Sequence, residues 1–317
     1  EDYKVGLENK LPSLSPVNTD GTFTKDSGKF SGLYVKKANP LIVEELRMYR
    51  DNPQRFVWDL YEKLQFGDQP LGWDIGGEEK TVLLLKRDDF VSYIDSLYSP
   101  ENMVLVYAGK IPQNIKKLAS NYFLDLPRRS HYKWAPYKKR KQIKPRVNIF
   151  YKKTDQANLV LGTEGFDRYD DKRYAARVLG TILGEGMSSR LFIQVRERRG
   201  LAYHVSADHY SYLDSGAFTV YAGLKLEKIV EGLEVIIAEL KRVVDEKVAD
   251  DELRKAKEMI RGRLAIHSES TNFLAEYFGL QYVLDRKIET FEQYLEKIDG
   301  VSAEDIQKVA QALFQRN

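Results

Sequence analysis

The two halves of the sequence repeat one order of predicted strands and helices. The second half reads, in chain order, as strands at 147–151 and 159–161, a helix at 170–183, a helix that follows Ser189 and stops at Gly200, hairpin strands at 202–212 and 216–224, and helices at 226–246, 250–284, 290–298 and 303–314. The first half reads as hairpin-like runs at 22–24 and 32–35, a helix at 41–65 kinked at Pro53, a short helix capped by Asp88, a strand at 103–107 and a helix from Ile115 to Tyr122. Internal duplication of this kind predicts two related domains.

The first copy lacks two stretches that the second copy has. Nothing in it corresponds to most of 146–200, which precedes the hairpin, or to the helix at 226–246, which follows the hairpin. A sheet needs helices over a face, because an uncovered apolar face would stay in contact with water. We therefore expect the first domain to be incomplete and stretches of the protein to be missing from this sequence.

The segment 128–145 separates the two copies. It is rich in lysine and arginine, has no acidic residue, and contains Pro136 and Pro145, which disfavour a long helix or a central strand. We interpret it as a linker that lies as a basic strap on the protein's own surface. Tyr132 and Tyr137 alternate with the basic residues, and that pattern also fits a nucleic-acid binder, which we keep as a third hypothesis.

These patterns predict an α/β fold of the α+β type. Each of two homologous domains is expected to hold a mostly antiparallel sheet with helices packed on one face. The predicted divisions are an incomplete N-terminal domain at 1–127, the basic linker at 128–145 and a C-terminal domain at 146–317.

Composition excludes several kinds of site and partner. The chain has no cysteine, so it holds no disulfide, thiolate metal ligand or thiol nucleophile. A net charge of +3 gives no overall attraction to nucleic acid or membrane, and no apolar run is long enough to cross a bilayer. We therefore expect no nucleic-acid or membrane partner. Because no signal peptide is recognisable, we favour a cytoplasmic location.

One continuous segment carries a specific pattern. Residues 183–205 read LGEGMSSRLFIQVRERRGLAYHV, and the hairpin turn at 212–218 reads YLDSGAF. In the first half the matching pieces are 42–53 (IVEELRMYRDNP), 66–76 (FGDQPLGWDIG), 23–24 and 33–35. Together they closely resemble the pitrilysin/insulinase family of inverted-zincin metallopeptidases, which includes mitochondrial-processing-peptidase-like proteins. The resemblance spans essentially all of 146–317.

The resemblance implies a zinc site and a substrate-binding pair. In the family, a helical H-x-x-E-H motif supplies two zinc ligands and a general base, and a later Glu completes the site. By resemblance that Glu is Glu45, although the family's supporting Glu seven positions earlier is Ala38 here. The resemblance also implies that Arg196 binds a substrate carbonyl and that Tyr203 donates to the developing oxyanion. Without the family resemblance, the sequence around Glu45 indicates an exposed helix residue, and Tyr203 is interpreted as an aromatic residue of a strand.

The H-x-x-E-H motif itself is absent. No two of the four histidines are four residues apart, and His204 and His209 point to opposite faces of a predicted strand. The histidines are His131, His204, His209 and His267. The chain alone is therefore expected to be inactive, and Zn²⁺ is expected only if the missing segment exists in the full protein.

The first hypothesis is a zinc metalloendopeptidase that cleaves peptides in an enclosed chamber, its H-x-x-E-H helix being absent from this sequence. The second is a catalytically silent partner that lends Arg196 and Tyr203 to a zinc-bearing subunit. The expected partners are a peptide or unfolded polypeptide substrate and a related subunit, in a homodimer or heterodimer.

Overall fold

The computed structural model describes residues 35–123 and 134–314, together with positions 22, 25, 31, 32 and 126; for 35–38 it describes the backbone alone. The described residues form two compact units. The first unit comprises 35–52 and 74–101, and the second comprises 53–73, 102–123 and 134–314 with residue 126. The predicted division at 127 and 146 remains a prediction.

Helices and three strands account for most of the described chain. The helices are α1 (Val35–Asp51), α2 (Pro53–Phe66), α3 (Glu79–Leu84), α4 (Arg87–Leu97), α5 (Ile115–Phe123), α6 (Lys172–Gly184), α7 (Ile229–Asp245), α8 (Asp250–Ser268), α9 (Thr271–Asp285), α10 (Phe291–Asp299) and α11 (Ala303–Leu313). The strands are β1 (Gln156–Glu164), β2 (Ala202–Ser211) and β3 (Gly216–Lys225). Short 3₁₀ turns occur at Pro70–Gly72 and Leu226–Lys228, and a π-helix at Phe192–Glu197.

The first unit has a small core. Val43 and Leu46 on α1 pack against Val82 on α3, and Asn39 donates a hydrogen bond to the Leu85 carbonyl at 3.1 Å. The exposed faces of α1 and α3 are joined by ion pairs, including one from Arg47 to Glu79. Such exposed pairs contribute little stability, so the small apolar cluster is the main interior of this unit.

The second unit is built on an antiparallel sheet with strand order β1-β3-β2. The turn between β2 and β3 closes with a hydrogen bond from the Tyr212 amide to the Ser215 carbonyl at 2.8 Å, which confirms the predicted hairpin. On one face, Phe218, Val220 and Leu224 are buried against helices. Helix α6 supplies most of that cover, and nearly every one of its residues is buried. The predicted α+β class is confirmed.

The other face of this sheet contacts α2. The Trp58 ring stacks on Tyr221 with 6.0 Å between ring centroids and meets Tyr210 edge-on at 6.2 Å. Tyr61 lies directly over Gly162, whose missing side chain makes room for the phenol. A helix from the first half of the sequence therefore belongs to the same compact unit as the sheet of the second half.

Two predicted strands are wrong. Residues 103–107 and 147–151 have the composition of strands, but neither segment pairs with another strand among the described residues. Leu105 is 60% exposed and Ile149 is 86% exposed. Strand propensity acts mainly through cross-strand packing, so these residues remain unpaired where no neighbouring strand is placed beside them.

Several helix boundaries also differ from prediction. The pattern at 41–65 is two helices broken at Asn52, and the first begins at Val35 with Pro40 inside it. The pattern at 250–284 is α8 and α9, separated where Ser270 accepts a hydrogen bond from the Phe273 amide. Asp88 is not a cap, because Lys86 precedes the helix. The runs at 22–24 and 32–35 lie mostly outside the described residues.

Candidate functional site

The segment that carries Arg196 is a π-helix. The Arg198 amide donates to the Ile193 carbonyl at 2.9 Å, five residues back, which widens the turn. Leu191 and Val195 are buried on its inner side, while Arg196 is exposed. Isolated π-turns are rare and occur frequently at functional sites. The sequence predicted a helix here but not its wide geometry.

The helix ends as predicted, at Gly200. That residue has φ of 58°, a left-handed conformation that glycine adopts without strain. The Gly200 amide donates to the Arg196 carbonyl at 3.0 Å, and the Leu201 amide donates to the Val195 carbonyl at 2.9 Å. These bonds fix the direct passage of the chain from the π-helix into β2.

Tyr203 occupies a bulge in β2. Ala202 pairs with Leu224 and His204 pairs with Gly223, so Tyr203 is an extra residue without an opposite neighbour. Its side chain is 61% exposed. Among the described residues β2 is at the edge of the sheet, and bulges redirect side chains, so the Tyr203 side chain is exposed at this edge. Arg196 and Tyr203 are thus both exposed, on either side of the turn at Gly200.

The Arg196 guanidinium has one described contact, with the Phe192 ring at 5.0 Å from the ring centroid. That distance is within the range of cation–π attraction. The contact leaves the N–H donors of the guanidinium free of any ion pair or hydrogen bond among the described residues. A planar group with several donors in this state suits a carbonyl or carboxylate ligand.

Glu45 lies on α1, in the first unit, whereas Arg196 and Tyr203 lie in the second unit. Its carboxylate is exposed and accepts a hydrogen bond from the Tyr49 hydroxyl at 3.3 Å. Among the described residues, no three His, Cys, Asp or Glu side chains come close enough together to hold a metal ion. Zinc requires three or four such ligands, so the residues described here do not fit a zinc site.

The described histidines have structural contacts. His204 is exposed on the face of the sheet that carries Tyr221 of β3, and His209 is on the helix-covered face, as the alternation predicted. His209 Nε2 accepts a hydrogen bond from the Phe166 amide at 2.9 Å. Burial, with a smaller effect of the Arg173 charge, lowers the pKa of His209 to about 4. His267 lies against the Phe273 ring, and His131 falls outside the described residues.

In the described part of the basic segment, 134–145, residues 137–140 lie along the protein's own surface. The Lys138 amide donates to Gln69 Oε1 at 2.8 Å, and the Lys138 carbonyl accepts from Gln69 Nε2 at 3.0 Å. Arg140 donates to the Leu64 carbonyl, and Tyr137 packs edge-on against Phe66. These contacts match the interpretation as a strap, and we make no proposal of nucleic-acid binding.

Comparison with known proteins identifies the family. A family model described as the peptidase M16 inactive domain matches residues 85–260, more than half of the chain. The chain belongs to the peptidase M16 family. This is the family of pitrilysin- and insulinase-type peptidases that the sequence pattern resembles.

Relatives of this M16 chain carry the name zinc protease. The chain is 32% identical over 283 residues to an uncharacterized zinc protease, YmxG of Bacillus subtilis, covering 88% of this chain and 68% of that protein. It is 33% identical over 285 residues to one from Rickettsia bellii, covering 88% and 67%, and 32% identical over 281 residues to one from Streptomyces coelicolor, covering 87% and 61%. The chain therefore spans about two thirds of the length of these relatives.

Solved structures share the fold of this M16 chain. A protease from Helicobacter pylori superposes with a TM-score of 0.82 at 20% identity, covering 93% of this chain and 70% of that one. A peptidase M16 inactive domain from Pseudomonas fluorescens superposes with a TM-score of 0.78 at 19% identity, covering 93% and 68%. At these identities the likeness concerns the fold.

Sequence reasoning missed one residue of the M16 segment. Arg190 stands in the quoted motif, six residues before Arg196, and forms a partly buried ion pair with Glu252 on α8. The available signal was an arginine at a predicted helix start, directly before the apolar Leu191. The sequence did not identify its partner, because the two residues are brought together only by folding. Separately, no described helix has the length and apolar character needed to cross a bilayer.

Proposed function

We propose that this M16 chain is the peptide-binding part of a zinc metalloendopeptidase, in which Arg196 and Tyr203 hold the substrate backbone. The supporting observation is that both side chains are exposed, one on the π-helix and one on the bulge after the Gly200 turn. The names of the relatives support a protease as the whole protein. The substrate class is a peptide or an unfolded polypeptide.

The chemistry of the pair follows from its donors. The Arg196 guanidinium donates to a backbone carbonyl of the peptide, and the Tyr203 hydroxyl donates to the carbonyl oxygen that gains negative charge when the peptide bond is attacked. A donor aimed at such an oxygen lowers the barrier by about 3 kcal/mol where water is excluded. Tyr203 thus contributes more to the reaction than to the affinity, and Arg196 contributes to both.

Glu45 remains a proposed third zinc ligand. It rests on the family motif at 42–53, and the described residues supply no group of three ligands that includes it. In this proposal the remaining ligands come from an H-x-x-E-H helix that is not in this sequence.

The peptide-binding proposal is tested by affinity. We expect Arg196→Ala to weaken binding of short fluorescein-labelled peptides to the 317-residue chain by roughly tenfold or more, because it removes a charge-assisted hydrogen bond. Fluorescence anisotropy measures the dissociation constant. Arg198→Ala is the matched control, since Arg198 is exposed in the same segment. Equal affinities for the two variants would contradict the proposal.

A second function, the catalytically silent partner, has its own support. No H-x-x-E-H motif occurs anywhere in the 317 residues, and the matching family model is described as an inactive domain. In that case the chain pairs with a related, zinc-bearing subunit and lends Arg196 and Tyr203 to it.

Zinc content and cleavage test this second function. We expect the purified chain alone to bind less than one equivalent of zinc and to leave a fluorogenic peptide intact, because the described residues offer no cluster of ligands. Metal analysis and a fluorescence assay measure the two quantities. One bound equivalent together with cleavage by the chain alone would exclude a silent role. Cleavage that appears on adding a zinc-bearing M16 subunit, and falls in Tyr203→Phe, would support it.

A further inference from the structure

An ion pair anchors the start of the π-helix. Arg190 Nε donates to Glu252 Oε1 and Arg190 Nη2 donates to Glu252 Oε2, each at 2.7 Å. The side chains are 12% and 26% exposed. Bidentate pairs of this kind fix the orientation of both groups as well as their distance. Arg190 is two residues before the π-helix, and Glu252 is in the first turn of α8, so the pair joins these two elements.

A second acid lies near the same guanidinium. Glu239 on α7 is 9% exposed, and its Oε2 has no hydrogen-bond partner among the described residues. Arg190 Nη1 is also buried without a partner there. The bond to Glu252 is the main cause that raises the pKa of Arg190, and the charge of Glu239 raises it further. The arginine thus holds Glu252 directly and is also influenced by the charge of Glu239.

Apolar packing between the π-helix and α8 is incomplete. A cleft of about 340 Å³ is lined by Ile193 of the π-helix on one side and by Ala256 and Met259 of α8 on the other. Glu252 lines the same cleft. Because side chains do not fill this space, the bidentate Arg190–Glu252 pair is a directional link between the two elements that adds to the core packing of Leu191 and Val195.

We propose that Arg190 is a positioning residue, whose ion pair with Glu252 fixes the π-helix so that Arg196 meets the peptide. This inference rests on the proposed peptide-binding role of Arg196. The Arg196 side chain has only the Phe192 ring as a described contact, so its location follows the backbone of the helix. A displacement of the backbone by about 1 Å is enough to lose most of the benefit of an oriented group.

The test variant is Glu252→Gln. It keeps the size of the side chain and one acceptor, but it loses the charge and the two-pronged geometry. Glu239 remains close to Arg190, so the arginine is not left without a counter-charge and the chain is expected to fold. Asp251→Asn is the matched control, because Asp251 is the neighbouring residue of α8 and forms an exposed pair with Lys255.

The expected readout is a double-mutant cycle on peptide affinity. Glu252→Gln should weaken binding of the labelled peptides about tenfold in the wild-type background. In an Arg196→Ala background it should weaken binding less than twofold, because the two substitutions remove the same interaction with the peptide. Asp251→Asn should change affinity less than twofold in either background. Arg190→Lys should give an intermediate loss, because lysine restores the charge but not the bidentate contact. Equal losses for Glu252→Gln in both backgrounds would overturn the proposal.

Amide hydrogen exchange provides a readout that does not depend on peptide binding. Glu252→Gln should speed exchange at 193–201, which spans the π-helix and the Gly200 turn, while Asp251→Asn should not. If the wild-type chain binds no peptide, or if Arg196→Ala binds as well as wild type, the proposed function fails. Faster exchange confined to Glu252→Gln would in that case still support the anchoring of the helix, and unchanged exchange would overturn it. Thermal midpoints of all variants identify any general loss of folding.

Discussion

Tyr203 and His209 lie on one strand in opposite surroundings. Tyr203 is the extra residue of a bulge and is exposed, whereas His209 is half-buried and accepts a backbone hydrogen bond. Strand alternation predicted from sequence that His204 and His209 face opposite ways. The bulge at Tyr203 was not predictable, because it is a mismatch in register between two strands and depends on β3 as much as on β2.

The half-buried His209 predicts a pH dependence of stability. Its pKa is lowered to about 4 in the folded chain, against an ordinary value of 6.5. As pH falls from 6.5 to about 4, the unfolded chain binds a proton that the folded chain excludes. The free energy of unfolding therefore falls with pH in this range, by about 3 kcal/mol in total from this residue.

Urea unfolding at pH 7 and pH 4.5 measures this effect. On acidification, wild type should lose more free energy of unfolding than His209→Gln, because glutamine does not titrate. His204→Gln is the control, since His204 is exposed on the other face of the strand. If His209→Gln and His204→Gln lose the same stability between the two pH values, His209 does not carry the dependence.

At the scale of elements, the packing of α6 on β2 requires a small residue. A Cβ built on Gly184 would lie 1.9 Å from the Ala207 nitrogen, so the helix end touches the strand backbone. Gly262 on α8 has no atom within 4 Å of the same position. Gly184 is therefore in close contact with a neighbouring strand, whereas the Cβ position of Gly262 faces open space.

Alanine substitution at these glycines should have effects of opposite sign. Gly184→Ala should lower the free energy of unfolding by about 3 kcal/mol through overpacking. Gly262→Ala should raise it by about 0.5–1 kcal/mol, since alanine favours the helix and meets no obstacle. Chemical denaturation of both variants measures the changes. A Gly184→Ala protein as stable as wild type would show that α6 does not contact β2 so closely.

Elements were predictable where short-range signals define them. The helix at 170–183, the hairpin and the Ser302 cap of α11 depend on periodicity, turn residues and a capping side chain within a few positions. The segments 103–107 and 147–151 were not, because a strand exists only beside another strand. The π-helix geometry was equally hidden, since its five-residue hydrogen bonding has no marker in the sequence.

At the scale of the whole molecule, the family was predictable from sequence, whereas the packing of α2 against the sheet of the second half was not. The motif at 183–205 and the pieces at 42–53 and 66–76 indicated the M16 family, to which the chain belongs. The contact of α2 with the sheet of the second half could not be predicted, because Trp58 and Tyr221 are far apart in the chain. Family motifs report local chemistry, whereas such contacts depend on packing between distant segments.

The role of Arg196 and Tyr203 in peptide binding can be tested by determining a structure of the chain with an extended peptide bound. We expect Arg196 and the Tyr203 hydroxyl both to lie within hydrogen-bond distance of backbone oxygens of that peptide, with the π-helix and the Gly200 turn unchanged. A peptide bound elsewhere, with both side chains left in solvent, would contradict it.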